Sequence, residues 1–278
     1  MQGVAAGGVP GGRGDTETVL ARATELAAMI RLRAARMVSR HGFGYFGQAL
    51  SSAETFGVLA ADWWRPGVDD LVISPGHYIV CAYAIGVELG LLDEAALETY
   101  GEDGSELEAI GTESSPVVSL TCGSLGQGLS GAIGLALAAR LRGTDARTYA
   151  FVSDGEMQEG QTWEAAMFAG HHRLDRLTVL LDANNSQVDG PIESITTIEP
   201  IADKWRAFGW SAFDVDGHDV AALHEGMSAA SVSTRPAVVI ARTSTLHGVA
   251  ALPDDADGHF IKLPADIAER VIAELEGR

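Results

Sequence analysis

The stretch YAFVSDGEMQEGQTWEAAMFAGHH, Tyr149 to His172, decides the fold. It opens as an unbroken apolar run, the pattern of a strand buried on both faces. It then passes through Ser153-Asp154-Gly155-Glu156 into a helical segment. A second apolar run, LTVLLD, follows and leads into LLDANNSQVDG, Leu180 to Gly190. Strand, helix and strand make one crossover unit, which sets the tips of two parallel strands side by side. Asp154 and Asn184 therefore stand just past neighbouring strands.

A carboxylate at the mouth of a parallel sheet is costly unless something positive sits on it. One carboxylate, one amide oxygen and backbone carbonyls suit a hard octahedral cation that keeps water and phosphate oxygens as its other ligands. Mg2+ carrying a diphosphate fits that description. Each element also has a plainer reading: Asp154 as a helix cap, and Asn184-Asn185 as an ordinary turn.

Outward from this unit the alternation continues. Strands are expected in DDLVISPGH, TYAFVS, LTVLLD, SAFDVDG and PAVVIAR. Helices are expected over Thr16–Arg40, Tyr78–Leu91, Gly160–His172, Ile201–Phe208, Asp219–Val232 and Pro264–Glu276. Another is expected to start at Ser51-Ser52-Ala53-Glu54 and run to Trp64. Short apolar strands alternating with helices give an α/β fold, a mainly parallel sheet with helices on both faces. The Gly-rich opening, residues 1–15, reads as a disordered tail and residues 16–278 as a single domain.

In such sheets ligands sit beyond the carboxyl ends of the strands. There the loop Gly123-Ser124-Leu125-Gly126-Gln127-Gly128 opens a small-residue helix, GLSGAIGLALAARL. Its glycines permit close backbone approach and its amides open the helix. Tight packing of a turn is the alternative. The spacing is neither a dinucleotide fingerprint nor a Walker loop.

The 278 residues carry a net charge of −19 and a pI near 4.6. No basic face offers itself to nucleic acid. No window approaches the apolar length of a membrane span, and the opening lacks the apolar core of a signal peptide. Cys81 and Cys122 give no disulfide framework and read as free thiols, which points to the cytoplasm. The acidic field opposes an anionic ligand. A helix N-terminus returns only about 0.3–1 kcal/mol per favourable charge interaction, so a bound divalent cation is expected to do most of the local neutralising.

Taken together, SDGEMQEGQTWEAAMFAG and LLDANNSQVDG resemble the thiamine-diphosphate motif of transketolases. TCGSLGQGLS resembles the family's diphosphate loop, LVISPGH its Ser-x-Gly-His segment and DVDGHD its Asp-Gly-His-Asp. The likeness runs from about residue 20 to 275. It implies the diphosphate domain of the thiamine-diphosphate-binding fold, and the N-terminal subunit of a split, two-component transketolase. It implies Asp154, Asn184 and the Ser186 carbonyl as metal ligands. Gly123, Ser124, Leu125 and Gly155 would line the diphosphate, Glu156 would join the cofactor-binding set, and Val188 would touch the cofactor's middle. Glu159 would enter a carboxylate network reaching the neighbouring subunit. His77 would sit beside cofactor and substrate, and His259 near the diphosphate.

Thiamine diphosphate and Mg2+, or another divalent cation, are the implied cofactors. The implied partner is a C-terminal subunit carrying the pyrimidine-binding domain, in a heterotetramer. A glutamate that activates the coenzyme belongs to that domain, so this chain alone is expected to be inactive. The activity implied is transfer of a two-carbon ketol or acyl unit from a ketose or 2-keto acid to an aldehyde. A pyruvate-using acyloin or deoxyxylulose-like synthase subunit is one alternative, and a non-catalytic cofactor-binding regulatory subunit another.

The sequence departs from the family at informative places. Ser153 replaces the motif's first glycine, and Tyr45 falls where a substrate-binding histidine is expected, with His41 four residues early. A second family histidine should fall near AIGTESSP, which contains none. A site that binds hydroxyls loses much affinity when its partner group is removed. The sugar-phosphate specificity of ordinary transketolases is therefore not carried over.

Overall fold

The computed structural model describes residues 14–253 and 255–277. Most of the expected tail, residues 1–13, lies outside them. Within the described residues Asp15 already caps the first helix, its side chain accepting the Thr18 N–H at 3.0 Å.

The strands are β1 (Phe43–Gly44), β2 (Asp70–Ile73), β3 (Thr148–Ser153), β4 (Leu177–Ala183), β5 (Ser186–Gln187), β6 (Gly190–Pro191), β7 (Ser211–Asp216), β8 (Ala237–Arg242) and β9 (Ile261–Lys262). Five of them form a parallel sheet in the order β2-β3-β4-β8-β7. The antiparallel pairs β1–β9 and β5–β6 are two-residue ribbons beside it. Sequence patterning gave no sign of them, because two residues carry no period.

The helices are α1 (Thr16–Ser39), α2 (Phe46–Val58), α3 (Ile79–Glu88), α4 (Gly128–Arg142), α5 (Gly160–His171), α6 (Ile192–Ile195), α7 (Ile201–Ala207), α8 (Val220–Ser231) and α9 (Ala265–Glu276). The sheet residues alternate between two cores, as the two-residue period of a strand requires. Leu71, Phe151, Leu180 and Val239 pack with α1, α2, α3, α8 and α9. Val72, Val152, Val179 and Ile240 pack with α4, α5 and α7. The α/β fold with helices on both faces is thus as the sequence indicates.

One helix start differs. α2 begins at Phe46 rather than Ser51 and passes through a π-type turn, Leu59–Trp63. Ser51 looked like a helix start because serine so often stands at one. Its hydroxyl instead donates to the Asp182 carboxylate at 2.6 Å, so the helix has one of its interior residues committed to the sheet edge.

Candidate active site

β3 and β4 are neighbours, with Ser153 in register with Asp182. Their tips are stitched by the backbone: Asp154 N–H donates to the Asp182 carbonyl at 3.0 Å. Asp154 in turn accepts the Asn185 N–H at 2.6 Å and the Gly155 N–H at 2.9 Å. Asn185 supports this with a left-handed backbone, φ 57°, a conformation asparagine tolerates. The crossover unit therefore brings Asp154, Asn184 and Ser186 together. Asn184 Oδ1 accepts the Ser186 N–H at 2.8 Å.

The glycine loop joins the same edge. Glu156 is fully buried and accepts from the Ser74 hydroxyl, the Gly126 N–H at 2.8 Å and the Ser153 N–H at 3.2 Å. Ser74 accepts the Gly128 N–H at 3.1 Å, which fixes the start of α4. Gly126 has φ 80°, and a Cβ there would lie 2.7 Å from the Glu159 Cβ, so only glycine suits the turn. Glu159 stands exposed beside it, as do Ser124 and Leu125. Gly123 and Gly155 are half-buried, and Val188 is 77% exposed. Glu156 spends its carboxylate inside the protein, holding the loop to the tip of β3.

Asp182, which the sequence reading passed over, is buried at the centre. It accepts from Ser51, from the Tyr78 hydroxyl at 2.8 Å, from Asn184 Nδ2 at 2.8 Å and from Thr243. Burial raises the pKa of Asp182 and Glu156, and pushes Asp154 up to about 8, with the Asp182 charge adding to the effect. None of these three acids pairs with an Arg or Lys among the described residues. Buried carboxylates without a cation are the expense that a bound divalent ion removes. The oxygen-rich donor set, Asp154, Asn184 Oδ1 and the Ser186 carbonyl, fits such an ion. A cavity of about 260 Å³ adjoins Asp154 and Asn185, with Thr196, Thr197 and Arg242 on its far walls.

A ring cluster flanks the site. Tyr45 lies 5.0 Å from His77 and 6.2 Å from His259, ring centre to ring centre, and the two imidazoles are 5.2 Å apart. Burial pushes His77 down to about 3 and lowers His259, so both rings are neutral near pH 7. Gln48 on α2 donates to the His259 carbonyl at 3.0 Å. Ile110 sits against the backbone of Gly76 and Gly123: its Cγ2 would stand 2.7 Å from a Cβ on either. His41 is turned elsewhere, with Nε2 2.6 Å from the Tyr100 carbonyl.

A second titratable group, Glu54, His218 and His247, has the spacing of a metal site. His218 argues against that. Its Nε2 accepts the Ser244 N–H at 2.9 Å, which puts the ring proton on Nδ1, facing Glu54 at 3.4 Å. Glu54 also holds Arg31 through both oxygens, at 2.5 and 2.7 Å. The cluster is a buried Arg31–Glu54 ion pair with His218 beside it.

The fold and the site define a parallel α/β domain with a buried acidic cluster at the carboxyl edge of its sheet, and comparison supplies the family. Residues 22–271 match the family model described as transketolase, thiamine diphosphate binding domain. The chain belongs to the transketolase family. It is 38% identical over 259 residues to a putative uncharacterized transketolase family protein, y4mO, of Sinorhizobium fredii, covering 89% of this chain and 93% of that one. It is 35% identical to the 6-deoxy-6-sulfo-D-fructose transketolase subunit SqwG of a Clostridium species, over 90% of this chain and 94% of that subunit. The crystal structure of transketolase from Campylobacter jejuni superposes with a TM-score of 0.82 at 26% identity. The superposition covers 93% of this chain but 43% of that enzyme.

Proposed function

We propose that this chain is the diphosphate- and metal-holding subunit of a two-component, transketolase-like transferase. It moves a two-carbon ketol or acyl unit from a ketose or 2-keto acid donor to an aldehyde acceptor. The observation that carries this reading is the set of three buried acids without a basic partner, Asp154, Glu156 and Asp182, gathered where the glycine loop meets two strand tips. Asp154, Asn184 Oδ1 and the Ser186 carbonyl would hold Mg2+ or another divalent ion. Gly123, Ser124, Leu125 and Gly155 would cradle the diphosphate, with Val188 against the coenzyme's middle. Thiamine diphosphate, when bound, supplies the carbanion chemistry that breaks and makes the carbon–carbon bond.

The chain's own residues bind and orient. Glu156 keeps the loop amides in place. His77 and His259, neutral by burial, can each donate and accept one hydrogen bond without adding charge. Glu159 is exposed beside the loop, free to meet carboxylates of a partner. That partner would be a C-terminal subunit with the pyrimidine-binding domain, in a cytoplasmic heterotetramer. Exposed apolar side chains on α4 and α5, Leu141, Met167 and Phe168, support an assembly of this kind. No described helix is long and apolar enough to cross a membrane.

The test is a titration of thiamine diphosphate with and without Mg2+, followed by activity with the partner subunit added. Metal-dependent binding and turnover only in the pair are expected. Turnover by the single chain, or binding indifferent to metal, would overturn the proposal.

A second reading, a donor lacking the terminal hydroxyl such as pyruvate, is favoured by the packing around His77. Tyr45, standing where the family's histidine is expected, and Tyr78 pack against that ring as aromatic neighbours at 5.0 Å. Rates of two-carbon transfer from xylulose 5-phosphate against decarboxylation of pyruvate, measured on the reconstituted pair, separate the two readings.

A further inference from the structure

An amide ligand is useful to a cation in one orientation only, since rotating it by half a turn presents protons instead of the oxygen. We infer that Asp182 and Tyr78 are positioning residues that lock the Asn184 amide with its oxygen toward the cation. The inference rests on the proposal that Asn184 is a cation ligand.

Both protons of Asn184 Nδ2 are used. One reaches Asp182 Oδ2 at 2.8 Å and the other the Tyr78 hydroxyl at 2.9 Å. The Tyr78 hydroxyl spends its own proton on the same Asp182 oxygen at 2.8 Å, so toward Asn184 it can only accept. This order of donors and acceptors leaves no flipped alternative. Oδ1 faces the other way, taking the Ser186 N–H at 2.8 Å with one lone pair and keeping the second.

Asp182 is itself held from elsewhere in the fold. Ser51 of α2 donates to Oδ2 at 2.6 Å, and Thr243, just past β8, donates to Oδ1. Its backbone carbonyl also takes the Asp154 N–H at 3.0 Å. A single residue of β4 thus registers both proposed side-chain ligands, Asp154 through its carbonyl and Asn184 through its carboxylate.

The test uses the full chain assembled with its partner subunit and saturated with thiamine diphosphate. Mn2+ is titrated and read by the relaxation of water protons, which reports binding without turnover. Removing a group that orients a metal ligand costs ~10–100-fold in affinity, and that loss is expected for both Asp182→Asn and Tyr78→Phe. Tyr78→Phe changes no charge, so weakening there reports orientation rather than field. If Asp182→Asn does not fold, Tyr78→Phe decides. Parent-like Mn2+ affinity in Tyr78→Phe, with only a lower melting temperature, would mark a merely structural role and overturn the inference. A parent complex that binds no Mn2+ at all would instead sink the functional proposal beneath it.

Discussion

The backbone N–H of Gly126 donates to the Glu156 carboxylate at 2.8 Å, fastening the end of the loop between α3 and α4 to the tip of β3. Glu156→Ala leaves that N–H, the Ser153 N–H and the Ser74 hydroxyl without their acceptor. Each buried group left dry costs about 1–3 kcal/mol. Urea denaturation should show a loss in that range or above, accompanied by weaker thiamine diphosphate binding. Glu156→Gln keeps one acceptor and sheds a charge that burial disfavours, so it should be the milder change.

The Arg31–Glu54 pair is buried on both sides. Truncating one member of such a pair strands the other, at about 3–5 kcal/mol. Glu54→Ala should lose close to that amount in an equilibrium unfolding experiment. A loss within error of zero would mean that water reaches Arg31 freely.

His77 gives the coenzyme-free chain a pH dependence of known sign. Burial holds its folded-state pKa near 3, against 6.5 for an exposed histidine. Between those values the unfolded chain binds a proton that the folded chain refuses, so stability rises with pH. The contribution is complete above about pH 6.5 and is lost as pH falls toward 3, with a slope of at most ~1.4 kcal/mol per pH unit. His77→Gln should flatten that acid limb in melts run across the window. Parallel curves for parent and variant would contradict the assignment.

Gly47 lies where α2 passes the segment carrying His259. A Cβ there would stand 1.9 Å from the Gly258 carbonyl oxygen. Gly47→Ala must push the two apart, and overpacking of this kind typically costs about 1–3 kcal/mol. A lowered melting temperature together with reduced coenzyme affinity is expected, since His259 moves with Gly258. An unchanged melting temperature would show that the segment is free to yield.

What could be read from the sequence, and what could not, divides by distance along the chain. Asp154 and Asn184 were legible because one strand–helix–strand unit fixes their relation before any tertiary contact is known. The five sheet strands were legible from apolar runs of adequate length. Ser51 was read as a helix start because its partner, Asp182, is 131 residues away. Asp182 itself looked like the polar end of a strand, and Tyr78 like an ordinary helix start. Their roles arise where α2, the turn before α3 and β8 converge, and local pattern holds no record of that. Glu156 was noted as a cofactor residue, yet its contacts to Ser74 and Gly126 bind protein to protein.

The order β2-β3-β4-β8-β7 also governs how the molecule breathes. β3 and β4 each have strand neighbours on both flanks, while β2 and β7 each have one. Fraying that starts at the rims must strip an outer strand before it reaches Asp154 or Asn184. The residues that would grip an ion thus sit on interior strands, whereas the glycine loop is tied through Gly128 to Ser74, just past the four-residue edge strand β2. Loosening of that edge would free the glycine loop before it disturbed Asp154 or Asn184.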